Sequence, residues 1–278
     1  MVTKEHKINE LENIANELRK MIVTISYKSK GHHIGSALSC IDILTTLYFY
    51  ELKIDPNNHT NKIKDWFMLS KGHAALALYA TLAKRGFFKE SFLEEQYLKN
   101  GGVFGGHPDT MPDFGIEISS GSLGHGLSIG AGVALAAKKD KNKNRAFVLL
   151  GDGECNEGMI WEAVMFASHH QLDNLVAIVD FNNLQGLGYV KDVMDISPLV
   201  NKFSSFGWDT QEINGNNIKE IMDSLKPEQI IDEQSEKTIK EKKTTKKIAD
   251  KINSSDINGD QLIEDNKEFI ENNLDKID

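Results

Sequence analysis

At 278 residues the chain can bury a sizeable core in one or two domains. Its formal charge of −9, with Arg19, Arg85 and Arg145 as its only arginines, argues against the basic face that nucleic-acid binding needs. Two cysteines, Cys40 and Cys155, are too few for a disulfide framework or a cysteine-only zinc site and read as reduced thiols. No run approaches the roughly 18 apolar residues of a membrane-spanning helix, and the N-terminus lacks the apolar core of a signal peptide. The expectation is a soluble, cytoplasmic protein with no membrane partner.

Leu11, Ile14, Ala15, Leu18, Met21, Ile22 and Ile25 recur at three- and four-residue steps, which predicts an amphipathic helix packed on a core. A second helix is predicted over 38–50, closed by Asp55-Pro56-Asn57-Asn58. The run 66–69 reads as a short buried strand ending at Ser70-Lys71-Gly72-His73, with a helix over 74–85 behind it. Residues 100–126 are rich in Gly, Pro and Ser and read as loop, where function concentrates. A small-residue helix over 127–139 leads to a strand at 147–150, a helix over 158–170 and a strand at 175–180. Trp208 and Ile213 bound one more predicted short strand, and a helix then runs to Leu225. Strands alternating with helices predict an α/β fold, a parallel sheet with helices on both faces.

Composition shifts after Pro227. The stretch 228–278 holds Phe269 as its one aromatic residue, no His, and dense Lys, Glu, Asp and Asn, including the lysine-rich run 237–247. The economical division is an α/β domain over 1–226 and a charged tail over 227–278, disordered or loosely helical. Asp256, Asn258 and Asp260 have the spacing of a calcium loop, but Gln261 and Lys267 stand where that loop needs Gly and Glu.

The stretch 147–183 is the most informative. Its first strand stops at Gly151-Asp152-Gly153 and its second ends at Asn182-Asn183. Asp152 and Asn182 therefore fall just beyond the carboxyl ends of two parallel strands, where open α/β sheets bind ligands. Oxygen ligands suit a hard divalent cation, and Mg2+ in particular bridges a few protein oxygens to phosphates. The glycines flanking Asp152 let the backbone turn sharply and approach a diphosphate. His32, His73 and His107 each follow a glycine at a loop-like break, as residues approaching a small ligand do. His6, His59, His169 and His170 read as structural or surface residues.

The pattern Gly151-Asp152-Gly153…Asn182-Asn183 resembles the thiamine-diphosphate motif of the transketolase family. Lys30-Gly31-His32, Ser70-Lys71-Gly72-His73-Ala74, Gly105-Gly106-His107-Pro108 and Ser120-Gly121-Ser122-Leu123-Gly124-His125-Gly126 extend the resemblance in the family's order. The spacing is similar to the bacterial and archaeal form split into two chains, of which this would be the N-terminal, diphosphate-binding subunit. The resemblance implies two-carbon ketol transfer between sugar phosphates, chemistry of the pentose phosphate pathway, with thiamine diphosphate and Mg2+. By it, Asp152, the Asn182 side-chain oxygen and the Leu184 carbonyl would bind the metal. His73, Gly121, Ser122, Leu123, Asp152, Gly153, Glu157 and Asn182 would line the cofactor, and the helix N-terminus after Gly158 would favour its negative charge. His32 and His107 would be the catalytic histidines, polarising sugar hydroxyls and moving protons near neutral pH. Thiamine carries its own carbanion, so Cys155 is not expected to act as a nucleophile.

The resemblance also implies a partner. A glutamate that activates the cofactor and the arginines that bind substrate phosphate would come from a C-terminal subunit, in a heterotetramer. Three departures from the family pattern stand out: His33 and Ile34 where Pro-Gly commonly follows the first histidine, His125 where Gln is usual, and no histidine after His170. Two alternatives stand beside the leading reading. One is a non-catalytic paralogue that binds cofactor or partner only, and the other a related enzyme acting on another keto donor.

Overall fold

The computed structural model describes residues 3–58, 61 and 63–225. Expectations for His59, the 227–278 tail, its lysine-rich run and the 256–260 oxygen pattern lie outside the described residues.

In chain order the elements are α1 (Lys4–Ser29), α2 (Ile34–Ser39), α3 (Ile41–Thr46), β1 (Trp66–Leu69), α4 (Ala75–Arg85), α5 (Glu90–Gln96), α6 (His125–Lys139), β2 (Ala146–Gly151) and α7 (Gly158–His169). Then follow β3 (Leu175–Asp180), the short strands β4 (Leu184–Gln185) and β5 (Gly188–Tyr189), α8 (Val190–Val193), α9 (Leu199–Ser205) and α10 (Ile218–Ser224). β1, β2 and β3 form a parallel sheet in that order, while β4 and β5 pair as a separate antiparallel hairpin. No helix of the described residues is long and apolar enough to cross a membrane.

Alternation along the strands divides the core. Phe67, Leu69, Phe147 and Leu149 face one apolar cluster, shared with α1, α3 and α4. Met68, Ala146, Val148 and Leu150 face the other, shared with α6 and α7. The predicted parallel sheet with helices on both faces is thus the observed one. β2 is buried throughout and so reads as a continuous apolar run, as central parallel strands do. Helix α6 comes close because Gly130 has no side chain: a Cβ there would lie 2.4 Å from Val148 Cγ2.

Two sequence expectations change. The helix expected over 38–50 begins earlier, breaks at Cys40, and passes into a π-helical turn at Leu47–Glu51. Beside that break, the Ser39 hydroxyl donates to Asp180 Oδ1 at 2.7 Å, which ties α2 to the end of β3. The strand expected from Trp208 to Ile213 does not form. Trp208 instead packs into the second cluster and donates its indole N–H to the Val164 carbonyl at 2.9 Å, and the polar residues after it find no strand to pair with. Among the described residues β3 is consequently an edge strand, with Val176, Ala177, Ile178 and Val179 only partly buried.

All three arginines are committed inside the fold. Arg19 pairs with Asp42, Arg85 donates to the Tyr48 carbonyl at 3.0 Å, and Arg145 bridges Glu51 and Asp65 at 2.5 and 2.6 Å. Arg145 directly precedes β2, at the end of that strand opposite Asp152.

Candidate active site

Three parallel strands in register deliver their exits to one edge of the sheet. Ser70 to His73 follow β1, Asp152 follows β2, and Phe181 to Asn183 follow β3; Gly151 pairs with Asp180 in the last register position. That register sets Asp152 beside Asp180. Burial raises the Asp152 pKa, and the Asp180 charge adds to the effect; the Gly153 and Asn183 amides and Lys71 pull the other way. The Asp152 carboxylate is 4% exposed, accepts the Gly153 N–H through Oδ1 at 2.6 Å, and leaves Oδ2 buried without a partner. Asn182 Oδ1 accepts the Leu184 N–H at 2.9 Å, and its second lone pair remains available. An orphaned buried carboxylate oxygen after one strand and an amide oxygen after its neighbour make a donor set of the kind that fits a hard divalent cation. Leu184 itself is exposed on the hairpin.

Beneath this edge lies a buried ion pair that sequence reasoning missed. Lys71, 1% exposed, pairs through Nζ with Asp180 Oδ2. A lysine between Ser and Gly carries no sequence signal that it will be buried, since most lysines stay in water. Glu154 was missed for a similar reason. Its fully buried carboxylate accepts the Ser70 hydroxyl, the Gly124 N–H at 2.9 Å and the Gly151 N–H at 3.0 Å. Ser70 Oγ in turn accepts the Gly126 N–H at 3.1 Å. One side chain therefore fastens the loops after β1 and before α6 to the Gly-Asp-Gly turn.

The histidines gather above Lys71. The His33 ring lies 5.4 Å from His73, 6.1 Å from His107 and 6.5 Å from His32, centroid to centroid. His33 takes a left-handed backbone conformation, φ 63°, at the start of α2, and its ring adjoins those of the three histidines predicted to form the site; His32 and His33 are both exposed. Gly121 packs on the His107 ring, with a Cβ there 3.5 Å from Cδ2, and the Tyr79 hydroxyl anchors the His107 carbonyl at 3.1 Å. Ser122 and Leu123 turn their carbonyls toward His125 Nδ1 at 3.2 and 3.4 Å.

Two expected diphosphate donors are already engaged. The Gly153 N–H is given to Asp152 as above, and the Glu157 N–H donates to the Glu154 carbonyl at 3.0 Å. Glu157 is exposed at the N-terminus of α7, its Cβ against Gly124. Cys155 is buried, its thiol pushed up to about 12 by desolvation, so it supplies no thiolate.

His73 has the most perturbed ring. Burial, then Lys71, His33 and His107, lower its pKa to about 4, so it is neutral at pH 7 and donates through one nitrogen only. Because an unfolded histidine titrates near 6.5, the unfolded state binds more protons between about 6.5 and 4, and stability falls as pH drops through that window. Denaturation at a series of pH values is expected to show this loss. His73→Gln should flatten it, and an unchanged slope would contradict the assignment.

The fold and the site define an α/β protein with buried carboxylates and a group of histidines beyond the carboxyl ends of its parallel strands. Comparison narrows the class. Residues 11–274 match the transketolase, thiamine diphosphate binding domain. An apulose-4-phosphate transketolase subunit from Phocaeicola vulgatus is 42% identical over 216 residues, 78% of this chain and 76% of that one. The 6-deoxy-6-sulfo-D-fructose transketolase subunit SqwG of a Clostridium species is 39% identical over 216 residues, 78% of each chain. The crystal structure of transketolase from Campylobacter jejuni superposes with a TM-score of 0.71 at 31% identity, over 77% of this chain and 35% of that one. The chain thus spans about a third of that transketolase chain and about three quarters of the relatives named as subunits. The chain belongs to the transketolase family, as its thiamine-diphosphate-binding, N-terminal-type subunit.

Proposed function

We propose that the chain is the cofactor-holding subunit of a cytoplasmic transketolase that uses thiamine diphosphate and Mg2+ and works with a C-terminal-type partner, two copies of each. The observation that carries this reading is Asp152, a buried carboxylate with one oxygen unpartnered at the Gly-Asp-Gly turn. Asp152, the Asn182 oxygen and the Leu184 carbonyl hold the cation. When bound, thiamine diphosphate supplies the nucleophilic carbon that opens the C2–C3 bond of a ketose and carries the two-carbon unit.

The chain's own residues position and protonate. Lys71 and Asp180 hold the strand exits in place, and Glu154 keeps the loop of Gly121, Ser122 and Leu123 against the turn. Neutral His73 donates one N–H toward the cofactor's anionic end. His32 and His107, each with its ring within 6.5 Å of His33, exchange protons with the sugar's hydroxyl and carbonyl groups.

The division of labour with a partner follows from the arginines. One relative is named for apulose-4-phosphate and another for 6-deoxy-6-sulfo-D-fructose, so the donor proposed here is a ketose with an anionic tail, as in the pentose phosphate pathway. A bidentate clamp for such a tail needs a guanidinium, and all three here are bound internally. The partner must supply it, together with the activating glutamate.

The test is reconstitution with the partner chain, thiamine diphosphate, Mg2+ and a panel of ketose donors, with products read by mass spectrometry. Two-carbon transfer is expected from the complex and not from either chain alone. A complex that retains cofactor yet transfers nothing would favour the non-catalytic paralogue, which the lack of any histidine after His170 makes the specific rival.

A further inference from the structure

The hairpin beyond β3 places one more polar group at the turn. Gln185, on β4, lies flat against Gly153: a Cβ on that glycine would meet Gln185 Cγ and Cδ at 3.0 Å. Its Nε2 is buried and has no hydrogen-bond partner. A buried amide N–H2 without an acceptor is uncommon in folded proteins, and leaving it so is unfavourable. The same turn carries the opposite orphan, Asp152 Oδ2, an acceptor without a donor. A metal–diphosphate presents a cation and an anionic oxygen side by side and is complementary to both. The backbone amides of Gly153, Cys155 and Glu157, at and after the turn, are already given away inside the protein.

We infer that Gln185 is a cofactor-binding residue whose side-chain amide donates to a diphosphate oxygen beside Gly153. The inference rests on the proposal that the chain binds thiamine diphosphate. It gives Gly153 a specific use: a Cβ there would crowd Gln185, whose side chain would have to give by a few tenths of an ångström. It also gives the hairpin of β4 and β5 a function, to carry one donor onto the diphosphate.

Binding of thiamine diphosphate with Mg2+ to the chain in complex with its C-terminal-type partner, followed by isothermal titration calorimetry, tests this without reference to turnover. Gln185→Met removes the donor with little change in shape, and Gln185→Glu replaces it by an anion of the same size. The Kd is expected to rise about tenfold in the first and about a hundredfold in the second, since a hydrogen bond to a charged group is lost and then a repulsion added. Unphosphorylated thiamine serves as the control ligand and should bind all three proteins alike. A role in packing alone would spare the isosteric Gln185→Glu, so unchanged affinity in that variant would overturn the inference. Tighter binding in Gln185→Glu would mean that the side chain faces the cation, which also overturns it. If the unaltered complex binds no thiamine diphosphate, the functional proposal fails and the inference falls with it. Unaltered binding by Gln185→Met sinks the inference alone.

Discussion

Asp152→Asn is expected to weaken binding of Mg2+–thiamine diphosphate by at least about a hundredfold while making the cofactor-free protein more stable. Burial raises the Asp152 pKa above that of an unfolded aspartate, so the folded protein holds the proton more tightly. The sign follows: in the window above the unfolded value, near 3.8, stability declines as pH rises, and by pH 7 the full penalty of a buried charge is present. Asparagine removes that charge and keeps an oxygen to accept the Gly153 N–H. A gain of about 1 kcal/mol is expected without cofactor, seen as a Tm a few degrees higher. Adding Mg2+ and thiamine diphosphate should reverse the order of the two proteins, because only the carboxylate provides an anionic ligand to the cation. A variant less stable than the parent in both conditions would mean that Asp152 is structural.

The second large effect belongs to Glu154. Glu154→Ala leaves the Gly124 and Gly151 amides and the Ser70 hydroxyl without their acceptor in a fully buried place. Each stranded donor costs about 1–3 kcal/mol, and the vacated volume adds to this, so a loss of about 3–5 kcal/mol in urea denaturation is expected. Glu154→Gln should lose less, since its carbonyl still accepts while its NH2 group confronts one of the same donors. The loop of Gly121, Ser122 and Leu123 is fastened through Gly124, so cofactor affinity should fall with stability across the pair. A Glu154→Ala protein within about 1 kcal/mol of the parent would contradict this role for the carboxylate.

Much of this architecture is legible in the sequence, for reasons that can be named. The core strands announce themselves because both faces are covered: 66–69 and 147–150 are unbroken apolar runs bounded by polar or glycine-rich turns. Gly-Asp-Gly alone would read as an ordinary turn; it is legible because it follows a buried strand and Asn182-Asn183 end the next one. The hairpin 184–189 is not, since two-residue strands show no period, and with it goes Gln185. Neither are Lys71 and Glu154, whose importance lies in burial and in partners 109 and 30 residues away. The closeness of His33 to His73 and His107 is not legible either, because it depends on a left-handed backbone at His33 and a dihedral is not written in residue type. The expected strand at 208–213 shows the converse error: an apolar residue at each end of a segment does not make a strand when Trp208 at its start plugs a core.

The proposed chemistry depends on one location, the cation between the exits of β2 and β3. Crystals of the chain grown with thiamine diphosphate and Mn2+ in place of Mg2+ would test it through the anomalous signal of the metal. The expected result is a single strong peak about 2.1–2.2 Å from an Asp152 carboxylate oxygen and from Asn182 Oδ1, with the diphosphate against it. Bound cofactor with its metal elsewhere, or with none at Asp152, would contradict this placement and the function built on it.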